Sequence, residues 1–352
     1  MQNRMITYAA AINEATDQMM ASDPSVYLIG IGVPDPTSAF TTTRGLQEKY
    51  GRGRVTDMPT SENGMTGVAI GSAIVGMRPI MVHQRLDFAL LAVEQIVNQA
   101  AKWHYTFDGQ LRVPLVIRML IGRGWGQGPQ HSQSLQSWFA HIPGLKVVMP
   151  TTPSDVKGLL ISSIEDDNPV VFLEHRWLYN LRGPVPEGEH RVPLGLARVI
   201  REGADLTVVS ASYMTVEALR AADLLAEHGI QAEVIDLRTL RPWDAESVLK
   251  SVRKTGRILV VDTSWKSVGF GAEVVARVAE EALSSLVTAP RRVCLPDCPT
   301  PTTAALADHY YPRAVDIVRV AFEMLGRVVP PLSSEPPDHP LDIPDPSFTG
   351  PF

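Results

Sequence analysis

The chain has 352 residues, more than one ordinary hydrophobic core supports, so we expect two domains. Hydrophobic residues make up 45% of the sequence and charged residues 20%, which is the composition of an ordinary globular protein. The 32 Lys and Arg residues against 38 Asp and Glu residues give a net charge of −6. This balance argues against a general nucleic-acid binder and against a protein of membrane surfaces.

Cysteine usage and hydropathy indicate a cytoplasmic protein. Cys294 and Cys298 are the two cysteines, too few for a disulfide framework or a cysteine-based zinc module, and we expect them to be reduced. Segment 1–23 has no basic stretch followed by an apolar one, so we expect no signal peptide. The most apolar window, 64–82, contains glycines and Arg78 and is too polar to cross a bilayer.

Short apolar runs alternate with helical patterns in the first half of the chain. Such alternation predicts a mostly parallel sheet with helices on both faces. The predicted strands are 26–31, 79–82, 115–121, 146–149 and 170–174. The predicted helices are 62–75, 87–103 and 154–165. Ser154 is the expected N-cap of the last of these helices, with Asp155 in its first turn.

A turn-rich stretch, 183–193, interrupts the pattern and is the expected domain boundary. A second α/β unit follows it. Its predicted strands are 206–211, 232–237, 258–262 and 292–295. Its predicted helices are 215–228, 245–252, 272–286 and 313–324. The pattern then stops in a segment with many prolines, which we expect to be disordered or draped over a partner. We therefore divide the chain into domains 1–185 and 186–327 and a proline-rich tail, 328–352.

The sequence lacks the P-loop, nucleophile-elbow and zincin motifs, but an acid and a histidine stand out. Glu62 lies at a predicted helix start, where it either complements the helix dipole or serves a ligand at the end of a strand. His131 ends a loop with alternate glycines, 122–134, that follows a predicted strand. This loop is either irregular surface structure or a ligand loop whose histidine carries protons.

Two glycines, Gly67 and Gly71, lie four residues apart in the helix after Glu62. They leave a smooth face on which another element can approach closely. The pattern fits tight packing of the helix on its own sheet, and it also fits a helix contact between subunits.

Several long stretches, in order over residues 5–326, are specific to one family. They are Gln-Ile-Val-Asn-Gln-Ala-Ala-Lys at 95–102, Gln-His-Ser-Gln-Ser at 130–134, Trp-Phe-Ala-His-Ile-Pro-Gly-Leu-Lys-Val-Val at 138–148, and matches at 170–175, 234–243 and 269–273. On these stretches the chain resembles the beta subunit of the thiamine-diphosphate-dependent 2-oxo acid dehydrogenases, which is part of their decarboxylating component. The resemblance implies two transketolase-like domains, a pyrimidine-binding domain followed by a C-terminal domain.

The resemblance assigns roles to four residues of this chain. Glu62 matches the glutamate that hydrogen-bonds the cofactor's pyrimidine ring and promotes its activation. Phe88 is expected to pack on that ring, although it also suits a helix core, and Gln84 is expected to lie near it. His131 matches the histidine that supplies a proton during acyl transfer to a lipoyl group.

The resemblance also implies two kinds of metal ion. A structural potassium ion is expected on positions that supply mostly backbone carbonyls, namely Leu115, Ser163, Ile164, Asp166 and Asn168. Thiamine enzymes hold the diphosphate through Mg²⁺ in a Gly-Asp-Gly segment followed by an Asn, and the sequence contains no Gly-Asp-Gly. We therefore expect an alpha subunit that binds Mg²⁺, in an α₂β₂ heterotetramer whose beta subunits meet at the Gly67–Gly71 face. A lipoyl-bearing acyltransferase is a further expected partner.

The chain departs from the family pattern at several positions. Where the family reads Glu-Ile-Gln-Phe-Ala-Asp-Phe, residues 82–88 read Val-His-Gln-Arg-Leu-Asp-Phe, which introduces His83 and Arg85. Trp125 lies in a loop that the family fills with small residues, and the tail extends beyond the usual family end. These changes leave the 2-oxo acid and the acyl acceptor undetermined.

Two other interpretations fit the sequence. One is the C-terminal half of a split transketolase, which moves ketol units between sugar phosphates, and His83 and Arg85 keep it open. The other is an inactive scaffold subunit, against which the presence of Glu62 and His131 argues.

Overall fold

The computed structural model describes residues 4–35, 37–124 and 126–332, and within them the predicted α/β class is confirmed. The strands of the described residues are β1 (Arg4–Thr7), β2 (Val26–Gly30), β3 (Val55–Asp57), β4 (Arg78–His83), β5 (Val116–Ile121), β6 (Lys146–Val148), β7 (Val170–His175), β8 (Arg182–Val185), β9 (Arg198–Arg201), β10 (Leu206–Ser210), β11 (Ala232–Asp236), β12 (Thr239–Arg241), β13 (Ile258–Trp265) and β14 (Arg291–Leu295).

Helices connect most of these strands, as a doubly wound fold requires. The α-helices of the described residues are α1 (Tyr8–Ser22), α2 (Leu46–Tyr50), α3 (Glu62–Ile74), α4 (Leu86–Ala89), α5 (Ala101–Thr106), α6 (Gln136–Ala140), α7 (Pro153–Glu165), α8 (Tyr213–Glu227), α9 (Ala245–Thr255), α10 (Phe270–Glu281), α11 (Ala304–Tyr310) and α12 (Ala314–Met324).

The larger sheet has seven strands in the order β12-β6-β7-β5-β4-β2-β3. Its six strands from the first half of the chain are parallel to one another. The seventh, β12, comes from the second half and pairs antiparallel with β6 at the edge. The parallel sheet is therefore as the alternation predicted, but its outer strand is supplied by the second domain.

The smaller sheet has five strands in the order β14-β13-β10-β11-β9. Four of them are parallel, and β9 pairs antiparallel with β11. A separate ribbon joins β1 to β8, with Ile6 opposite Gly183. The turn-rich stretch 183–193 thus begins inside a strand. Local sequence gave no signal for this pairing because the two strands lie far apart along the chain.

Both faces of the larger sheet are buried, which explains its nearly continuous apolar strands. Side chains of a strand alternate between faces, and Ile80 and Val82 of β4 pack with α1 and α7. Met81 joins the opposite core, which contains α3 residues and continues into the second domain through Val209 and Val260. The two halves of the chain therefore share one hydrophobic core.

Two local expectations were wrong. The N-cap of α7 is Thr152, whose side chain accepts a hydrogen bond from the Asp155 amide, and not Ser154. The reason is Pro153, which has no amide hydrogen and suits the first helical position. The helix predicted at 87–103 is broken into α4, a 3-10 turn, a π-helix (Gln95–Ala100) and α5. Within the described residues, no helix has both the length and the apolar character needed to cross a membrane.

Candidate active site

Three neighbouring strands bring the candidate residues to one edge of the larger sheet. Strands β4, β5 and β7 are parallel and adjacent, so their carboxyl ends lie side by side. Segments 83–88, 122–131 and 175–177 follow these ends. Open α/β sheets bind ligands at this edge. Sequence reasoning assigned His131, Gln84 and Phe88 to a site, and the topology brings all three to this edge.

Glu62 is the first residue of α3 and is only 5% exposed. The positive end of the helix dipole favours a negative charge at this position. Within the part of the chain that the structure describes, its carboxylate has no hydrogen-bond or ion-pair partner. Thr66 lies one turn later on the same helix face, and its hydroxyl oxygen is 3.4 Å from His83 Nε2. This face of α3 is therefore directed at the end of β4.

Phe88 and His131 are in direct contact. Their ring centroids lie 5.3 Å apart with an interplanar angle of 86°, an edge-to-face arrangement. Both side chains are half-buried. The imidazole has no hydrogen-bond partner of its own among the described residues, so it is held by packing and by its backbone.

Arg85 holds the backbone of the loop that carries His131. Its Nε donates to the His131 carbonyl at 2.7 Å and its Nη2 to the Gly122 carbonyl at 2.8 Å. Nη2 also donates to the side chain of Gln127 in the same loop. The guanidinium is 4% exposed, and burial lowers the pKa of Arg85 to about 10. Nη1 is buried and has no partner among the described residues.

Two polar residues, His83 and Gln84, precede Arg85 in this segment. Gln84 donates from Nε2 to the Ile31 carbonyl at 3.0 Å, at the end of the neighbouring strand. His83 is 2% exposed, and burial lowers its pKa to about 4, so its imidazole is neutral near pH 7. Its Nδ1 has no partner in the described part of the chain. Two of the departures from the family pattern, His83 and Arg85, therefore lie inside the candidate site.

His175 belongs to this site and was missed in the sequence. It ends β7, is fully buried, and its ring stacks on Tyr213 at a centroid distance of 5.1 Å. Its Nδ1 accepts a hydrogen bond from the Trp177 amide, which leaves the proton on Nε2. Nε2 has no partner among the described residues. The sequence does contain one signal for His175, which is its place at the carboxyl end of a buried strand. That strand, β7, lies next to β5, the strand that the His131 loop follows.

The alternate glycines of the loop allow close contacts on both sides. Gly122 has a φ of 88°, and a Cβ there would lie 2.7 Å from the His175 ring. A Cβ on Gly128 would lie 2.2 Å from Thr302 Oγ1 in the second half of the chain. The loop is thus packed between β7 and the second domain, which favours the ligand-loop interpretation over an irregular surface loop. Trp125, the unusual residue in this loop, lies outside the described residues.

The carbonyls expected to bind potassium lie around the turn after α7. The carbonyls of Ile164 and Asp166 accept hydrogen bonds from Arg78 Nη1 at 3.0 and 3.2 Å. The Leu115 carbonyl accepts from the Val170 amide at 2.9 Å. Two further members are held by local bonds, Ser163 Oγ to the Leu159 carbonyl and Asn168 Nδ2 to Asp166 Oδ1. Arg78 thus supplies positive charge to two of the expected carbonyls.

The Gly67–Gly71 face of α3 is only partly covered. A Cβ on Gly67 would approach the Gln95 side chain at 3.2 Å, whereas a Cβ on Gly71 would meet nothing within 4 Å. Val68 beside them is 54% exposed. Residues 4–35, 37–124 and 126–332 contain no group of three or more His, Cys, Asp or Glu side chains suited to a metal ion.

Two family models match the chain. One is described as "Transketolase, pyrimidine binding domain" and matches residues 4–182, and the other is "Transketolase, C-terminal domain" and matches residues 195–317. Among solved structures, the chain is similar to one titled "Split gene transketolase, inactive beta4 tetramer". That likeness has a TM-score of 0.76 at 24% identity and covers 91% of this chain and 98% of the other. At this identity it supports the fold alone.

Curated relatives match over nearly the whole chain. A protein of Cupriavidus necator named "Acetoin:2,6-dichlorophenolindophenol oxidoreductase subunit beta" is 44% identical over 328 residues, covering 90% of this chain and 97% of its own. A rice protein named "Pyruvate dehydrogenase E1 component subunit beta-2, mitochondrial" is 41% identical over 329 residues, covering 92% and 88%. A Bacillus subtilis protein with the same name as the first is 38% identical over 335 residues, covering 92% and 98%.

Proposed function

The chain belongs to the transketolase-like family of pyruvate and acetoin dehydrogenase E1 beta subunits, and on that premise we propose that it is the beta subunit of a thiamine-diphosphate-dependent 2-oxo acid dehydrogenase. With an alpha subunit, it decarboxylates a 2-oxo acid and transfers the acyl group to a lipoyl group, whose disulfide is the oxidant. The observation that carries the proposal is the buried Glu62 carboxylate, which has no partner among the described residues.

The residues at the sheet edge fit thiamine diphosphate. Its chemistry is a nucleophilic carbon that adds to the keto group of a 2-oxo acid and takes up the electron pair left when CO₂ departs. Glu62 would hold a proton of the pyrimidine ring on its otherwise unpartnered carboxylate. Phe88 would offer its ring face as an apolar wall, and Gln84 would contribute a polar side chain close by. Burial of an unpaired carboxylate is unfavourable, so a ligand N–H at Glu62 satisfies a need that the protein leaves open.

His131 is the proposed proton carrier for acyl transfer. Its imidazole has no hydrogen-bond partner among the described residues, so both ring nitrogens are available to a substrate. It would donate a proton to the departing lipoyl sulfur, which raises the rate of that step. Phe88 and Arg85 would position it, one through its ring and the other through its backbone.

We propose that the active form is an α₂β₂ heterotetramer. The relatives are named as beta subunits, and the sequence contains no Gly-Asp-Gly segment for Mg²⁺ and the diphosphate. The alpha subunit would supply that segment, so the site is completed between chains. The open face around Gly71 would form the contact between the two beta subunits. We also propose a potassium ion on the carbonyls near Asp166, two of which accept hydrogen bonds from Arg78 in this structure.

The remaining proposals concern partners and compartment. A lipoyl-bearing acyltransferase would accept the acyl group, and neither nucleic acid nor a membrane is a proposed partner. We propose a cytoplasmic location, which suits the two free cysteines, Cys294 and Cys298. The rice relative is named as mitochondrial, so the compartment differs within the family.

The second candidate function is the C-terminal half of a split transketolase. The basic residue Arg85 favours it, because a guanidinium suits the phosphate of a sugar phosphate. The curated relatives at 38–44% identity favour the dehydrogenase, and they match the chain more closely than the 24% of the split transketolase.

The test is reconstitution with an alpha subunit that carries the Gly-Asp-Gly segment. The complex is supplied with thiamine diphosphate and Mg²⁺, and CO₂ release from 2-oxo acids and acylation of lipoamide are measured. A parallel assay offers ketose phosphates with an aldose-phosphate acceptor. The proposal expects lipoamide acylation; ketol transfer without decarboxylation would replace it by the split transketolase.

A further inference from the structure

Two buried N–H donors flank Gly122 and have no acceptor among the described residues. Arg85 Nη2 donates to the Gly122 carbonyl at 2.8 Å, so the guanidinium lies against one side of this glycine. A Cβ on Gly122 would lie 2.8 Å from His175 Nε2, so the imidazole lies against another side. Arg85 is 4% exposed and His175 is fully buried, and the unpartnered atoms are Arg85 Nη1 and His175 Nε2.

Both atoms are donors and neither can accept a hydrogen bond. A guanidinium has no acceptor, and His175 Nε2 carries the proton because Nδ1 accepts from the Trp177 amide. Burial lowers the pKa of His175 to about 3, so the imidazole stays neutral and keeps this tautomer near pH 7. Buried donors in folded proteins are nearly always paired, so two neighbouring unpaired donors indicate a missing acceptor.

The local charge indicates that the acceptor is an anion. Arg85 and Arg313 both act electrostatically on His175, and Arg313 is itself 3.9 Å from Glu217 Oε1. The acid that faces Arg85 is Asp87, whose Oδ2 is 3.9 Å from Nε. Asp87 Oδ1 already accepts from the backbone and side chain of Gln133. Asp87 therefore offsets part of the Arg85 charge without a hydrogen bond to Nη1, and the strongest acceptor for a guanidinium N–H is an anion such as a carboxylate.

We propose that Arg85 and His175 bind a second, non-reacting carboxylate of the substrate, so that the enzyme acts on a dicarboxylic 2-oxo acid. This inference rests on the proposed function. Arg85 Nε donates to the backbone carbonyl of His131, so the pair lies beside the loop that carries the proposed proton carrier. Binding the carboxylate that departs as CO₂ would stabilise the substrate more than the transition state, so the distal carboxylate is the better occupant.

The test compares two substrates that differ in one group. The reconstituted α₂β₂ enzyme is assayed for CO₂ release from 2-oxopentanedioate and from 2-oxopentanoate, which has the same carbon chain without the second carboxylate. The kcat/KM ratio of the first to the second is expected to exceed about 10, because a charge-assisted bidentate contact discriminates by about 10- to 100-fold. A ratio of one or less would overturn the inference.

Two variants assign that ratio to the pair. Arg85→Met removes the charge, and His175→Phe removes the donor while keeping a ring to stack on Tyr213. Each is expected to lower the ratio about 10- to 100-fold and to raise KM for the dicarboxylate. If the two residues had a purely structural role, each variant would lower kcat/KM for both substrates by the same factor. That result in both variants would also overturn the inference. Arg319→Gln, on the exposed side of α12, is the matched control and should leave the ratio unchanged.

The outcomes separate this inference from the proposed function. Equal turnover of both 2-oxo acids overturns the dicarboxylate site alone. Turnover of ketose phosphates without release of CO₂ from either 2-oxo acid overturns both, and it reassigns the anion site to a substrate phosphate.

Discussion

The Nε atom of Arg85 donates a 2.7 Å hydrogen bond to the backbone carbonyl of His131. A charged side chain after β4 thereby fixes the main chain of a loop that follows β5. The histidine ring is left without a hydrogen bond among the described residues and rests on Phe88. The arrangement separates two tasks, because the backbone is held firmly while the imidazole keeps both nitrogens available for chemistry.

Glu62→Gln in the reconstituted enzyme should lower kcat by about 10²- to 10⁴-fold, because an amide cannot share a proton with the pyrimidine ring as a carboxylate can. Circular dichroism and the thermal midpoint should be little changed, since the Glu62 carboxylate has no hydrogen-bond or ion-pair partner among the described residues. The matched control is Glu48→Gln in the exposed part of α2, which should leave turnover intact. Full turnover in a folded Glu62→Ala variant would remove this residue from the site.

His131→Ala should spare binding of thiamine diphosphate and block acylation of lipoamide. The reason is that the proton for the departing sulfur is lost while Glu62 and Phe88 stay in place. Cofactor affinity is measured by titration of the holoenzyme, and acyl transfer by the rate of lipoamide acylation. His309→Ala, at an exposed position of α11, is the control. Unchanged acyl transfer in His131→Ala would exclude the proposed role.

Gly122→Ala should lower the free energy of unfolding by about 2–5 kcal/mol. This loss combines the strain of a side chain at positive φ with the overlap between the new Cβ and the His175 ring. Gly188→Ala is a matched control, because its φ is 75° but a Cβ there would meet nothing within 4 Å. Gly188→Ala should lower the free energy of unfolding by only about 1–2 kcal/mol. Urea unfolding of both variants measures the difference, and equal losses would show that His175 does not fill the space at Gly122.

Asp236 should make stability depend on pH. Burial, and after it the nearby Asp155 carboxylate, raise the pKa of Asp236 to about 7, far above its unfolded value of about 3.9. Between these values the folded chain holds a proton that the unfolded chain has released. The contribution of Asp236 to the free energy of unfolding therefore falls as the pH rises from about 4 to about 7, by up to about 4 kcal/mol.

Asp236→Asn provides the measurement for this expectation. The stability of the wild type minus that of Asp236→Asn should fall between about pH 4 and about pH 7 in urea titrations. A difference for Asp236→Asn that rises with pH would mean that Arg238 stabilises the charged carboxylate more than burial opposes it.

The sequence predicted the buried parallel strands well, because both-face burial leaves long apolar runs such as 116–121. The resemblance to the beta subunits of 2-oxo acid dehydrogenases is confirmed by the family models and the curated relatives. The sequence did not predict β1, β8 or β12, since their partners are distant along the chain and their own patterns are too short. It also missed His175, whose position beside Gly122 depends on the order of β5 and β7 in the sheet.

The short strand Thr239–Arg241 closes the edge of the larger sheet against Val147 and Val148. A fragment that ended near residue 185 would leave that edge unpaired and ready to join another chain, since exposed strand edges template aggregation. The first domain is therefore not a module that can be cut out or exchanged on its own. During synthesis, its sheet stays unfinished until the ribosome has made more than fifty further residues, which makes this interval the vulnerable period for the nascent protein.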